Sequence, residues 1–185
     1  LGGVAISAAL DKAGLSGEQI EYVYMGHVLQ AGAGQITARQ AAVNGGIPMS
    51  VPATTVNKVC LSGMDAIYQA DRRIRSGDAE IVVAGGMESM TNAPHLLAGA
   101  RSGYRIGDGV LVDSMMYDGL YCAFDQCAMG EGTEKYAQAH GLVREHMDAM
   151  AAESHRRADA AQQSGLFADE IVTVTIPQRR GDALI

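Results

Sequence analysis

The chain has 185 residues, of which 48% are hydrophobic, so it can bury a substantial core as one large domain or two small ones. Its net charge of −7 is spread along the sequence and argues against a nucleic-acid-binding protein, which would carry a basic stripe. Three cysteines without framework spacing, and apolar runs too short to span a bilayer, favour a soluble cytoplasmic protein with no membrane partner.

The hydrophobic pattern predicts an α/β fold over residues 1–90. The predicted elements, in chain order, are a helix ending at Gly14, a strand at 22–29, a helix at 37–43, a strand at 54–59, a helix at 62–74 and a strand at 80–84. Met64, Ile67 and Ile74 share one face of the third helix. Continuous apolar strands on either side of a helix are typical of a parallel sheet covered on both faces.

The pattern changes after residue 90, and residues 91–185 are predicted to form a separate loop domain. Residues 92–130 show no sustained period, which in a compact protein usually marks a functional or interface-forming segment. Tyr104 and Gly109 bound a predicted exposed hairpin. Further elements are predicted as a helix at 130–140, a helix at 144–163 with Met147, Met150, Ala151 and Ser154 facing inwards, and a strand at 170–176.

Cys60 carries the strongest chemical signal in the chain. It stands where a predicted buried strand turns abruptly into an amphipathic helix. Unpaired backbone N–H groups and the positive end of the helix dipole favour the thiolate there, and the thiolate is the nucleophile. A lone cysteine is more often a small buried hydrophobe. Nucleophiles of unrelated hydrolases occupy this kind of strand-to-helix turn, however, so the position favours a catalytic thiol.

Other candidate sites are weaker. Cys122 and Cys127 could form half of a zinc site, but no second pair follows, so free thiols and no metal are expected. The glycines at 32 and 34 lack both the dinucleotide fingerprint and the P-loop ending, and a helix-entry turn accounts for them. His27 is expected to be satisfied in the core. Glu88 follows the last apolar strand, and it is expected either to bind loop N–H groups or to transfer protons.

Two motifs resemble those of the thiolase family. They are VNKVCLSGM at residues 56–64 and SGDAEIVVAGGMESM at residues 76–90, and weaker matches extend over the whole chain. Within the family, the acetyl-CoA acetyltransferases are the most similar. The resemblance implies the N-terminal half of a layered α/β/α fold with an inserted loop domain.

The resemblance also implies a function and a set of site residues. Cys60 corresponds to the nucleophile that acetyl-CoA or a 3-ketoacyl-CoA acylates, and its own N–H would help to hold the thioester oxygen. Leu120 corresponds to a position near bound coenzyme A. Met129 corresponds to one lining the acyl pocket, with ordinary packing an equal alternative. Coenzyme A would be substrate and product, with no further cofactor, and the hairpin at Tyr104 and Gly109 would assemble a homotetramer.

The chain departs from the family pattern in two respects. Ala128 stands where many members carry His before the Met-Gly pair. The family's Gly-His-Pro motif, its second catalytic cysteine and its asparagine-containing motif do not occur, and neither does its opening strand. We therefore expect a fragment of a thiolase, which could be acylated but could not turn over. The alternatives are a degradative 3-ketoacyl-CoA thiolase of broader chain length and a non-catalytic acyl-CoA- or lipid-binding relative.

Overall fold

The structure is a computed structural model that describes residues 1–179 and 181–185. It contains two compact units, Leu1–Leu120 and Tyr121–Ile185. The division into a core domain at 1–90 and a loop domain at 91–185 stays a prediction. Among the described residues, no helix combines the length and the apolar character needed to cross a membrane.

The first unit begins with alternating helices and strands. These are α1 (Gly2–Ala13), β1 (Tyr22–Gly26), α2 (Thr37–Asn44), β2 (Ala53–Val56), α3 (Ser62–Arg75) and β3 (Val82–Gly86). They are followed by β4 (His95–Leu97), β5 (Leu111–Asp113) and a helical turn at Met115–Leu120. Gly14 ends α1 in the left-handed conformation at φ 66°, as the sequence predicts.

The three long strands form one parallel sheet in the order β2-β1-β3. Alternate side chains of β1 point to opposite faces. Val23 and Met25 pack with α1 and α2, whereas Tyr24 packs with α3. Helices therefore cover both faces of the sheet, which confirms the predicted α/β/α layering.

β1 is shorter than predicted and β3 is shifted. In both cases backbone N–H groups at the strand end donate to a side-chain carboxylate instead of to a neighbouring strand. β1 ends at Gly26, and the N–H groups of Val28 and Leu29 donate to the carboxylate of Glu88. β3 starts at Val82, since the Glu21 carboxylate binds the N–H groups of the two residues before it.

The prediction placed three large apolar residues on one face of α3, and that face points away from the sheet. Met64 is 68% exposed, and Ile67 and Ile74 are also exposed. Ala66 and Ala70 are buried against the sheet instead. Small side chains let the helix axis approach the strands closely, so the layer forms through them.

A hairpin forms in the predicted region, and it is larger than expected. β4 and β5 pair antiparallel, with Leu96 opposite Val112. Tyr104 and Gly109 lie in the loop that joins the two strands.

The described residues of the second unit form two short hairpins and two helices. Its elements are β6 (Tyr121–Cys122), β7 (Cys127–Ala128), α4 (Met129–Ala139), α5 (Arg144–Gln163), β8 (Thr175–Ile176) and β9 (Ala183–Leu184). Both helices agree with the prediction to within a residue or so.

Two expectations for this unit are wrong. Met147 is half-buried, but Met150, Ala151 and Ser154 are exposed, with Met150 at 77%. A period shows which residues share a face, and burial also requires a second layer against that face. The strand predicted at 170–176 is reduced to β8, because the N–H groups of Glu170 and Ile171 turn back to the carbonyl of Phe167.

Candidate active site

Cys60 lies on the loop between the end of β2 and the start of α3. β2 ends at Val56 and α3 begins at Ser62, so the thiol stands two residues before the helix. Cys60 is exposed. The strand-to-helix turn predicted from the sequence is therefore present, and a reagent can reach the thiol there.

The residue before Cys60 has an unusual backbone conformation. Val59 has φ 49°, a left-handed conformation that is an outlier for a β-branched residue. Its N–H donates to the Oδ1 atom of Asn57 at 3.0 Å. Its carbonyl accepts from both the N–H and the hydroxyl of Ser62, at 3.0 and 2.6 Å. Both backbone groups of Val59 are therefore bound, which stabilises the strained turn.

Ser62 anchors this loop from the first residue of α3. Its hydroxyl accepts from the N–H of Lys58 at 2.8 Å and donates to the carbonyl of Val59. Ser62 is buried. Sequence reasoning did not identify Ser62 or Asn57, although serine at a helix start and asparagine in a turn are both recognisable signals.

Glycine at the end of β1 lets α3 begin directly against the sheet. A Cβ atom on Gly26 would lie 2.6 Å from the N atom of Gly63 and 2.6 Å from the carbonyl carbon of Ser62. Only a residue without a Cβ permits this approach. The loop that carries Cys60 is thereby held at the carboxyl end of the parallel strands, where sites of open α/β sheets form.

An ion pair joins the Cys60 loop to the first turn of α3. The Nζ atom of Lys58 lies 2.9 Å from Oδ1 of Asp65 in the first turn of α3. Their hydrogen bond raises the pKa of Lys58 and lowers that of Asp65, to which Gln69 also donates. The Lys58 side chain is 60% exposed, and the Asp65 side chain is 16% exposed. Solvent screens the charge of Lys58, so the pair contributes little to stability on its own.

Glu88 and His27 form a second cluster at this edge of the sheet. The Glu88 carboxylate accepts from the N–H groups of Val28 at 2.9 Å and Leu29 at 3.2 Å. Its Oε1 atom also lies 3.2 Å from Nε2 of His27, whose Nδ1 atom lies 2.8 Å from the hydroxyl of Thr37. His27 is 8% exposed. The expectations of a satisfied core histidine and of a carboxylate bonded to loop N–H groups are confirmed.

A cavity of about 570 Å³ lies beside this cluster. His27, Glu88, Gln40 and Met87 contribute to its lining. Cys60 is not among its lining residues, so the cavity and the thiol are separate features of the first unit.

Leu120 and Met129 are the other predicted site residues. Leu120 is half-buried and ends the helical turn at Met115–Leu120 in the first unit. Met129 begins α4 in the second unit and is partly exposed. Their contacts with coenzyme A and the acyl pocket stay predictions, as does the role of Cys60.

The weaker candidate sites are the Cys122 and Cys127 pair and the glycines at positions 32 and 34. Cys122 and Cys127 are free thiols opposite each other in the β6–β7 hairpin. Within 1–179 and 181–185, no cluster of three His, Cys, Asp or Glu residues could hold a metal ion. Gly32 and Gly34 adopt left-handed conformations in the turn before α2, as a helix-entry turn requires.

Comparison with known proteins identifies the family. A family model described as "Thiolase, N-terminal domain" matches residues 1–185. The "Probable acetyl-CoA acetyltransferase" of Mycolicibacterium smegmatis is 53% identical over 184 residues, covering 100% of this chain and 47% of the relative. The "Acetyl-CoA acetyltransferase" of Cupriavidus necator is 53% identical over 182 residues, covering 98% of this chain and 46% of the relative. The corresponding enzyme of Pseudomonas aeruginosa is 48% identical over 184 residues.

The chain spans about half the length of these curated relatives. This chain carries the exposed Cys60 and also Glu88, which binds the loop after β1. The chain belongs to the thiolase family, whose N-terminal domain it matches from its first residue to its last.

Proposed function

We propose that the protein carrying this chain is an acetyl-CoA acetyltransferase of the thiolase type. It would condense two acetyl-CoA molecules to acetoacetyl-CoA, or run the reverse thiolysis, through an acyl group carried on Cys60. The observation that carries the proposal is the exposed thiol two residues before α3, in a chain 53% identical to a relative named for this activity.

In the proposed first step the Cys60 thiolate attacks the carbonyl carbon of acetyl-CoA. The tetrahedral intermediate then collapses, the acetyl group stays on the sulfur and coenzyme A leaves as its thiolate, which takes up a proton. The start of α3 supports this step because the positive end of a helix dipole stabilises the negative charge that develops on the carbonyl oxygen. The Cys60 N–H is proposed to donate to the oxyanion.

In the proposed second step a carbanion of another acetyl-CoA attacks the acetyl group and releases Cys60. Forming that carbanion needs a base and a group that stabilises the enolate. The histidine and second-cysteine motifs that serve there in the family do not occur in these 185 residues. We therefore expect residues 1–185 alone to be acetylated slowly and not to turn over.

The remaining parts of the proposal concern substrate contacts and assembly. Leu120 is proposed to lie near coenzyme A and Met129 to line the acyl pocket, with coenzyme A as substrate and product. The β4–β5 hairpin around Tyr104 and Gly109 is proposed to assemble a homotetramer. A cytoplasmic location fits a thiol nucleophile, since that compartment keeps thiols reduced.

The test is the mass of the purified protein after brief exposure to acetyl-CoA. We expect one added acetyl group, mapped by peptide analysis to Cys60, and none on a Cys60→Ser variant. Cys122→Ser is the matched control, because it removes another thiol and should acetylate normally. Acetylation mapped to another residue, or none on a protein whose Cys60 still reacts with iodoacetamide, would overturn the proposal.

Chain-length preference needs its own measurement. We expect the protein to cleave acetoacetyl-CoA faster than a long-chain 3-ketoacyl-CoA, in keeping with the names of its relatives. A preference for the long chain would point to a degradative thiolase instead.

A further inference from the structure

Val59 has an unusual backbone conformation, because valine rarely adopts a positive φ. Branching at Cβ makes the left-handed region costly, so such a residue stays there only when its surroundings hold it. Val59 has φ 49° and directly precedes Cys60. Relaxation of Val59 would rotate the peptide that leads into Cys60 and change where the thiol points.

Asn57 bonds to this strained residue and to a second loop at once. Its Oδ1 atom accepts from the N–H of Val59 at 3.0 Å, which closes an Asx turn. Its Nδ2 atom donates to the carbonyl of Val28 at 3.4 Å. One amide therefore ties the Cys60 loop, which follows β2, to the loop that follows β1.

The second loop is itself anchored. The N–H of Val28 donates to Glu88, which follows β3, at 2.9 Å. Glu88, Val28, Asn57 and Val59 thus connect the loops that leave three neighbouring parallel strands. The connection ends at the residue before Cys60.

We propose that Asn57 is a positioning residue for Cys60: it holds Val59 in the left-handed conformation and thereby presents the thiol at the start of α3. This inference rests on the proposed function, since it concerns the thiol that would carry the acetyl group. The hydrogen bonds of Asn57 join it to the backbones of Val59 and Val28. It acts through the backbone of Val59, so its effect depends on the strain at that residue.

A double-mutant cycle tests this dependence. Asn57→Ala removes the acceptor and the donor, and we expect acetylation of Cys60 to slow by about 10- to 100-fold, the scale of a small misplacement of a reacting group. Glycine adopts a positive φ without cost. In a Val59→Gly background, the same Asn57→Ala change should therefore slow acetylation by less than about threefold, since the strain it opposes is gone.

Alkylation by iodoacetamide provides a readout that needs no acyl-CoA. We expect Asn57→Ala to lower the rate at Cys60, because the thiol is no longer held in its exposed position. Alkylation at Cys122 in the same sample should stay unchanged. These variants keep both Lys58 and Asp65, so the number of charges beside the loop is the same in all of them.

Two further variants separate positioning from folding. Asn92→Ala removes another exposed asparagine, which ends a short 3₁₀ helix and bonds to Ser89, and it should leave both rates at the wild-type value. If Asn57→Ala does not fold, Asn57→Ser takes its place, because a serine hydroxyl can still accept from the N–H two residues on. Its rates should fall between those of wild type and the Asn57→Ala expectation.

Different outcomes would overturn the positioning role of Asn57 and the proposed function. Unchanged rates in a folded Asn57→Ala or Asn57→Ser variant, or an equal loss with Val59 and with Gly at position 59, would overturn the positioning role. A wild-type protein that is not acetylated, yet shows the expected alkylation differences among variants, would overturn the proposed function alone.

Discussion

Replacing Gly26 by alanine should destabilise the protein through a single added methyl group. The new Cβ would lie 2.6 Å from the N atom of Gly63 and from the carbonyl carbon of Ser62, and 2.8 Å from the Cβ of Ser62. Two of these three atoms belong to the backbone at the start of α3. They cannot rotate aside, so the helix start and the end of β1 must separate.

The size of the effect follows from two opposing terms. Overpacking a well-packed site typically costs about 1–3 kcal/mol, and rigid backbone atoms place Gly26 at the upper end. Alanine also restricts the unfolded chain more than glycine, which returns up to about 1 kcal/mol. We therefore expect a net loss of about 2 kcal/mol, a large share of the roughly 5–15 kcal/mol that stabilises a typical domain.

The assay is urea denaturation followed by circular dichroism, with the midpoints of variant and wild type compared at a constant slope. Gly63→Ala is the matched control, because its Cβ would meet only the carbonyl oxygen of Gly85, at 4.0 Å. That change should be neutral, or stabilising by up to about 1 kcal/mol, since alanine is the better helix former. A Gly26→Ala protein as stable as wild type would refute the close-packing argument.

Three further predictions concern the sheet and its edges. Met25→Ala should cost about 2–5 kcal/mol in urea denaturation, because the Met25 side chain on β1 is almost fully buried against α1 and α2; an unchanged midpoint would contradict this. Arg73→Lys should cost about 1 kcal/mol more than Arg72→Lys, since the Arg73 guanidinium stacks 3.9 Å from the Tyr22 ring centroid and also donates to a tyrosine hydroxyl; equal losses would argue against it. Two backbone N–H groups lower the pKa of Glu21, so its contribution to stability is present above the ordinary carboxyl pKa and is lost as pH falls through the lower folded value. Glu21→Gln should flatten the acid limb of a stability-against-pH curve, and an unaltered limb would count against that role.

Local patterns in the sequence were sufficient to predict the main elements and the cysteine loop. The glycine at position 14 ends a helix because a left-handed residue is needed there, and that requirement is local. The apolar strands on either side of a helix predicted a parallel sheet, because a strand that is buried on both faces must be apolar on both faces. This requirement is also local. Cys60 was located by its place between a strand and a helix.

Other features depended on contacts between distant residues. The sequence by itself determined that Met64 and Ile67 share a face of α3, because helical spacing is a local property. Only the tertiary structure decided that Ala66 faces the sheet instead, because burial depends on which layer packs against the helix. The bond from Asn57 to Val28 joins residues 29 positions apart, so no local pattern could reveal that Asn57 ties the Cys60 loop to the loop after β1.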